Sequence, residues 1–129
     1  MNKFPAVAPV HRPDQVQFAK EVWEHLGCKD PLTKKFIEVV FVAIKVFDWK
    51  QSQYGSGNIR RAGARGVVTR LGDKVSRLEN LMAKNESPLE EPIEDSFGDS
   101  GNYGLIGLMC RWGWWPGVPT ATEQEEAKS

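Results

Sequence analysis

Asp95, Asp99 and Asn102 stand at i, i+4 and i+7 in the stretch EDSFGDSGNYGLIGL. On a helix that spacing stacks their side chains on one face. Oxygen donors so placed suit Mg²⁺, which keeps several waters and also binds substrate phosphates. The pattern equally suits a solvated acidic face, because carboxylates near a helix N-terminus are favoured by the helix dipole. Asn102 and Tyr103 are followed by an apolar run, so the helix enters a core and its acids are less easily read as solvent-facing. Gly98, Gly101, Gly104 and Gly107 recur at every third position of the same stretch. Each costs about 1 kcal/mol relative to alanine inside a helix. Such a run leaves a short groove that a neighbouring helix could approach.

A second group is Arg70, Asp73, Lys74 and Arg77, at i, i+3, i+4 and i+7. Three cations on one stripe can clamp a phosphate, with Asp73 holding one of them in place. Ordinary ion pairing along a surface helix gives the same pattern. A third group is KQSQYGSGN, residues 50–58. Its glycines permit close backbone approach, and Tyr54 could stack on a base or bond a phosphate; the same letters describe a helix stop and a loop, without a P-loop or Rossmann pattern. Trp112, Trp114 and Trp115 with Pro116 suit the cover of a core or an interface between subunits. His11 and His25 are isolated, and no Ser/His/Asp or Cys/His arrangement is evident.

These residues need helices to position them. Asp14 can cap a helix over 15–26 that Gly27 ends. Asp30-Pro31 signals a second start. The next segment is apolar nearly all round and partly β-branched, yet about 18 residues run without a turn signal, which indicates a buried helix ending near Gln53. Residues 54–66 read as a glycine-rich basic loop. A cleanly amphipathic helix follows over 67–84, with Val68, Leu71, Val75 and Leu78 as its apolar stripe. A break at 85–89 precedes the glycine-rich helix, 90–111, with Pro92 in its first turn. Helices with short breaks and no paired strands indicate an all-α helical bundle. The expected organisation is a flexible arm over 1–13, one helical domain over 14–119 and a disordered polar tail over 120–129.

The 129-residue chain carries 17 basic and 17 acidic residues. Formal neutrality argues against strong nonspecific binding of duplex nucleic acid, while leaving room for a local basic patch. Cys28 and Cys110 form no C-x-x-C pair and read as buried thiols. No apolar run approaches the roughly 20 residues that span a bilayer, and no secretory h-region is present. The expectation is a cytoplasmic protein with no membrane partner.

The motifs Lys50-x-x-x-Tyr54-Gly55, Arg70-x-x-Asp73-Lys74-x-x-Arg77-Leu78, Glu86-Ser87 and Asp95-Ser96-x-x-Asp99-x-x-Asn102-Tyr103 occur in this order. Together they resemble the nucleotide-modification-associated domain 1 family, found mostly in bacteriophages. The chain is also similar, more distantly, to the all-α MazG-like nucleotide pyrophosphohydrolases, over residues 33–110. The resemblance implies a helical, oligomeric, nucleotide-handling protein, acting in the host cytoplasm if phage-encoded. MazG-like enzymes hold Mg²⁺ with a Glu-x-x-Glu on one helix and a Glu-x-x-Asp on the next long helix. Asp99 matches the last acid of that set, Asp95 lies one turn earlier, and Glu38 is the available acid on the preceding helix. Ser96 and Phe41 stand where further glutamates are usual, and Gln53 replaces the family's acid before Tyr54.

The implied site thus comprises Lys50, Tyr54, Arg70, Asp73, Lys74, Arg77, Asn102 and Tyr103 for the nucleotide, with Asp95, Asp99 and Glu38 for Mg²⁺. The implied activity is hydrolysis of a (deoxy)nucleoside triphosphate to monophosphate and pyrophosphate. The missing acids leave two alternatives open: a nucleotide-sequestering protein without turnover, and a partner-binding helical protein with the tryptophans as its interface. A homo-oligomer is expected in each case.

Overall fold

In the computed structural model the described residues are 12–120, 122, 123 and 126, and they form four α-helices with no strand. These are α1 (Pro13–His25), α2 (Leu32–Tyr54), α3 (Gly57–Lys84) and α4 (Ile93–Arg111). The expected all-α class is therefore observed. No helix among the described residues is long and apolar enough to cross a membrane. The arm expected over 1–13 lies outside the described residues except for Arg12 and Pro13, and the tail over 120–129 lies outside them except for four positions. One of those, Thr120, exchanges hydrogen bonds with Glu123: its N–H donates to Glu123 Oε2 at 2.8 Å, and the Glu123 N–H donates to Thr120 Oγ1 at 3.2 Å. This reciprocal arrangement is a helix-starting capping box.

The chain divides into two compact units, Met1–Trp49 and Lys50–Ser129, so the last turn of α2 belongs with the second. In the first unit α1 starts one residue before Asp14, which lies in the first turn and not at the cap. Asp30 starts α2 as expected, its Oδ1 accepting the Leu32 N–H at 2.8 Å. The Trp23 indole donates to the Asp30 carbonyl at 2.8 Å, and the Lys34 ammonium lies 4.6 Å from the centre of the Trp23 ring. Phe18 stacks on Phe41 at 5.4 Å. Helix α2 is less buried than its composition suggests. Ile37 and Val46 are buried, while Leu32, Phe36 and Val39 remain exposed on one face.

The second unit is built on the antiparallel pair α3 and α4. Val67 faces Gly107, Lys74 faces Asp99 and Arg77 faces Ser96, a register that runs in opposite chain directions. Residues expected to form a loop over 54–66 are mostly helical instead. Helix α3 begins at Gly57 and bends at Gly63, whose φ of 60° and ψ of −149° interrupt the helical backbone. A side chain would strain that left-handed φ, so glycine is the residue that permits the bend. The segment after α4 crosses back over the start of α3. Trp115, only 2% exposed, donates its indole N–H to the Ser56 carbonyl at 3.0 Å. Val118 packs near Gly63, and Gly117 lies hard against the aliphatic stem of Arg60.

Candidate functional site

The seam between the C-terminal half of α3 and the N-terminal half of α4 gathers most of the expected polar residues. Ser96, Asp99 and Asn102 recur at i, i+3 and i+6, and all three are buried. Asp99 carries two ammonium groups: Lys50 Nζ lies 2.6 Å from Oδ1 and Lys74 Nζ 2.9 Å from Oδ2. Arg77 donates through one terminal nitrogen to Ser96 Oγ at 2.7 Å and through the other to the Glu91 carbonyl at 2.7 Å. The Glu91 carboxylate stands farther off, 3.9 Å from the guanidinium. Side chains of Lys50, Lys74 and Arg77 are 29%, 23% and 25% exposed, so each is sheltered yet reachable from solvent.

Electrostatics follow from this crowding. Burial alone would lower the Lys74 pKa. The hydrogen bond and charge of Asp99, with smaller contributions from Tyr103 and Glu91, outweigh that effect and raise it. Asp95 is also pushed up, first by burial and then by the charges of Asp99, Glu91 and Glu94; Lys50 pulls in the opposite direction. Asp95 and Tyr103 therefore belong to the electrostatic surroundings of the Lys50–Asp99–Lys74 cluster. Lys50 and Lys74 share the Asp99 carboxylate, while Asp95 and Glu91 add negative charge close by.

Other expected members make no ion pair with the cluster among the described residues. Asp73 is exposed and makes no ion pair among the described residues; Lys74 is paired instead by Asp99, from the facing helix. Arg70 is half-buried one turn before Lys74, and Tyr54 is 64% exposed at the end of α2. Glu38 belongs to the first unit, where it pairs with Lys35 at 3.2 Å. Ser96 and the Glu91 carbonyl were not expected partners. The i, i+3 spacing of Ser96 and Asp99 was the available signal, since it puts both on the face that meets α3.

Mg²⁺ fits this donor set poorly. Both Asp99 oxygens are hydrogen-bonded to ammonium groups, and no three His, Cys, Asp or Glu side chains gather as a metal-binding group among the described residues. The glycines of α4 also differ from the expected groove. A Cβ on Gly107 would touch Val67 at 3.7 Å, an ordinary contact, whereas one on Gly101 or Gly104 would meet nothing within 4 Å. Those two glycines lie on the outer face of α4 beside Phe97, Leu105 and Leu108, all of them exposed. Cys110 is buried, which raises its thiol pKa, and Cys28 is half-buried; both are free thiols.

The chain matches no family model, no curated protein and no solved structure.

Proposed function

We propose that the protein binds a nucleotide through its phosphates at the α3–α4 seam and holds it without metal-dependent turnover. The observation that carries this reading is the sharing of buried Asp99 between Lys50 and Lys74, with Arg77 one turn away. Lys50, Lys74 and Arg77 gather three cations along one seam, and at 29%, 23% and 25% exposure their donors remain reachable from solvent. An arriving phosphate would accept hydrogen bonds from the lysines and from Arg77, whose planar fork suits phosphate oxygens. Arg70, on the same stripe of α3, would extend the contact along a polyphosphate. Tyr103 would supply a hydroxyl beside Lys74. The resemblance to the MazG-like and phage nucleotide-modification proteins points to the same ligand class, and the unfavourable fit of the acids to Mg²⁺ favours sequestration over hydrolysis.

Thermal melting with a panel of nucleoside mono-, di- and triphosphates and cyclic nucleotides tests the reading. A saturable rise in Tm is expected from at least one of them, insensitive to EDTA, absent in Lys74→Gln and unaccompanied by pyrophosphate release. No shift from any nucleotide would remove the proposal. EDTA-sensitive product would replace it with the hydrolase.

A second reading, a helical protein that works through partners, draws on the outer face of α4. Phe97, Leu105 and Leu108 are 57%, 55% and 45% exposed there, on the side turned away from the seam. A further copy of the chain covering such faces would give the homo-oligomer that MazG-like proteins usually form. Sedimentation at several concentrations separates this reading from a monomeric nucleotide binder.

A further inference from the structure

The opposite end of the second unit carries charge of a different kind. No Asp or Glu occurs over residues 54–72 or 100–122, while Arg60, Arg61, Arg65, Arg70 and Arg111 fall in those two stretches. The antiparallel register and the returning segment bring the stretches together. Trp115 is anchored on Ser56, Gly117 lies against Arg60, and Val118 packs near Gly63. Arg60, Arg61, Arg65 and Arg111 are exposed, and none makes an ion pair among the described residues. Trp112 and Trp114, on the returning segment, are 53% and 67% exposed and meet edge to face at 5.1 Å. Neither is needed to fill the core, which takes Trp115 instead.

We propose that this arginine–tryptophan end of the α3–α4 hairpin is a binding surface for single-stranded nucleic acid. Four unpaired guanidinium groups would follow a phosphate backbone, and two exposed indoles would offer π-faces to unstacked bases. A duplex keeps its bases stacked inward and cannot use the tryptophans, which sets the expected preference for a single strand. Formal neutrality of the whole chain is no obstacle, because Arg60, Arg61, Arg65 and Arg111 fall in two stretches without a carboxylate, Asp73 and Glu123 being the first acids after them. Two copies joined symmetrically through this surface would set arginines against arginines, so a two-fold self-contact is disfavoured. The surface is separate from the seam and stands or falls independently of it.

The test is fluorescence anisotropy with labelled oligo(dT), oligo(U) and a duplex of equal length. Saturable binding of the single strands is expected, with the duplex at least about tenfold weaker. Stacking on one aromatic accounts for about tenfold in affinity, so Trp114→Ala should weaken binding by that much, and Arg61→Gln with Arg65→Gln should weaken it further. Each phosphate engaged contributes a slope of about −0.7 in log K against log salt, so four would cost about fiftyfold between about 50 and about 200 mM. The relative affinities of oligo(dT) and oligo(U) identify the sugar preferred. Equal binding of duplex and single strand, binding indifferent to Trp114→Ala and to the arginine pair, or no binding at low salt would overturn the proposal. Strand binding abolished by Lys74→Gln and not by the arginine variants would move the contact to the seam and also overturn it. So would concentration-dependent self-association that disappears with the arginine pair, because the surface would then dock carboxylates of another copy.

Discussion

Lys74 and Arg77, in the second half of α3, are each met by acceptors from α4; Arg60, Arg61 and Arg65, in its first half, are met by none. The same helix thus handles positive charge in two ways. At the seam a cation is sheltered and needs a partner, since an unpaired buried charge costs several kcal/mol. At the other end the cations stand in water, where a missing partner costs little and a surface ion pair would add less than about 1 kcal/mol. The contrast teaches that pairing, and not the mere presence of lysine or arginine, marks which charges the fold depends on. It also separates stability from recognition: changes at the seam should register in melting, changes at the arginine end in binding.

The largest expected effect breaks the seam. Asp99→Ala leaves Lys50 and Lys74 sheltered side by side without their shared acceptor, and should destabilise the protein by about 3 kcal/mol, on the order of 10 °C in Tm. Denaturant melts measure it. A melt like the parent's would mean that the seam contributes nothing to the fold. Reversing an arginine, as in Arg61→Glu, should by contrast move the melt by no more than about 0.5 kcal/mol.

Next comes the returning segment. Gly117 has φ +80°, and a Cβ there would collide with the Arg60 stem. Gly117→Ala should therefore cost about 1–2 kcal/mol and displace the tryptophans, which intrinsic fluorescence would report as a shift in emission. On α4, Gly104→Ala meets open space and should stabilise an isolated chain by about 0.5–1 kcal/mol. The sign of that change sharpens the second reading of function. Stabilisation means the outer face of α4 is free, and destabilisation of an oligomer means a neighbour packs there.

The smallest effect concerns protons. Because the Asp95 pKa is raised in the fold, the native state binds more protons than the unfolded chain between the ordinary carboxyl value of 3.8 and the raised value, and stability falls as pH increases through that window. Asp95→Asn should thus gain about 0.5 kcal/mol at neutral pH, a gain that fades in acid as the parent's carboxyl also becomes neutral. Lys74 has the opposite consequence. Its raised pKa stabilises the fold below 10.5, and that contribution disappears as pH climbs through the folded value. Melts of parent and variant across pH check both signs.

Helix α4 and the second half of α3 were legible because their polar and apolar residues recur at helical spacing. The start of α3 was not. GSGNIRRAGARG has the composition of a loop, and what makes it helical is tertiary: the Trp115 hydrogen bond, the Arg60–Gly117 contact and a bend absorbed at Gly63. The site shows the same division. Spacing put Lys74 and Arg77 on one stripe and Asp95 and Asp99 on another. It could not say which face of α3 meets α4, so Asp73 was expected to order the cations that Asp99 and Ser96 in fact hold. Lys50 stood at the head of the KQSQYGSGN stretch and in the resemblance, but nothing local linked it to Asp99, 49 residues away. Helix α2, apolar all round, was expected to be buried; local pattern cannot say whether a partner or the chain itself covers such a face.

The tight approach of Gly117 to Arg60 has one more consequence. Carbons Cγ and Cδ and nitrogen Nε of that arginine sit against the glycine, and a terminal nitrogen lies near Gly57. Rotamer freedom that a long side chain ordinarily surrenders when it grips a ligand, about 1.5–2 kcal/mol for arginine, is here surrendered while the chain folds. Of the exposed guanidinium groups Arg60 is consequently the one whose stem is already held, so in the proposed strand binding its ordering should carry less entropic penalty than that of Arg61 or Arg65, a difference that calorimetry on single Arg→Gln variants would read.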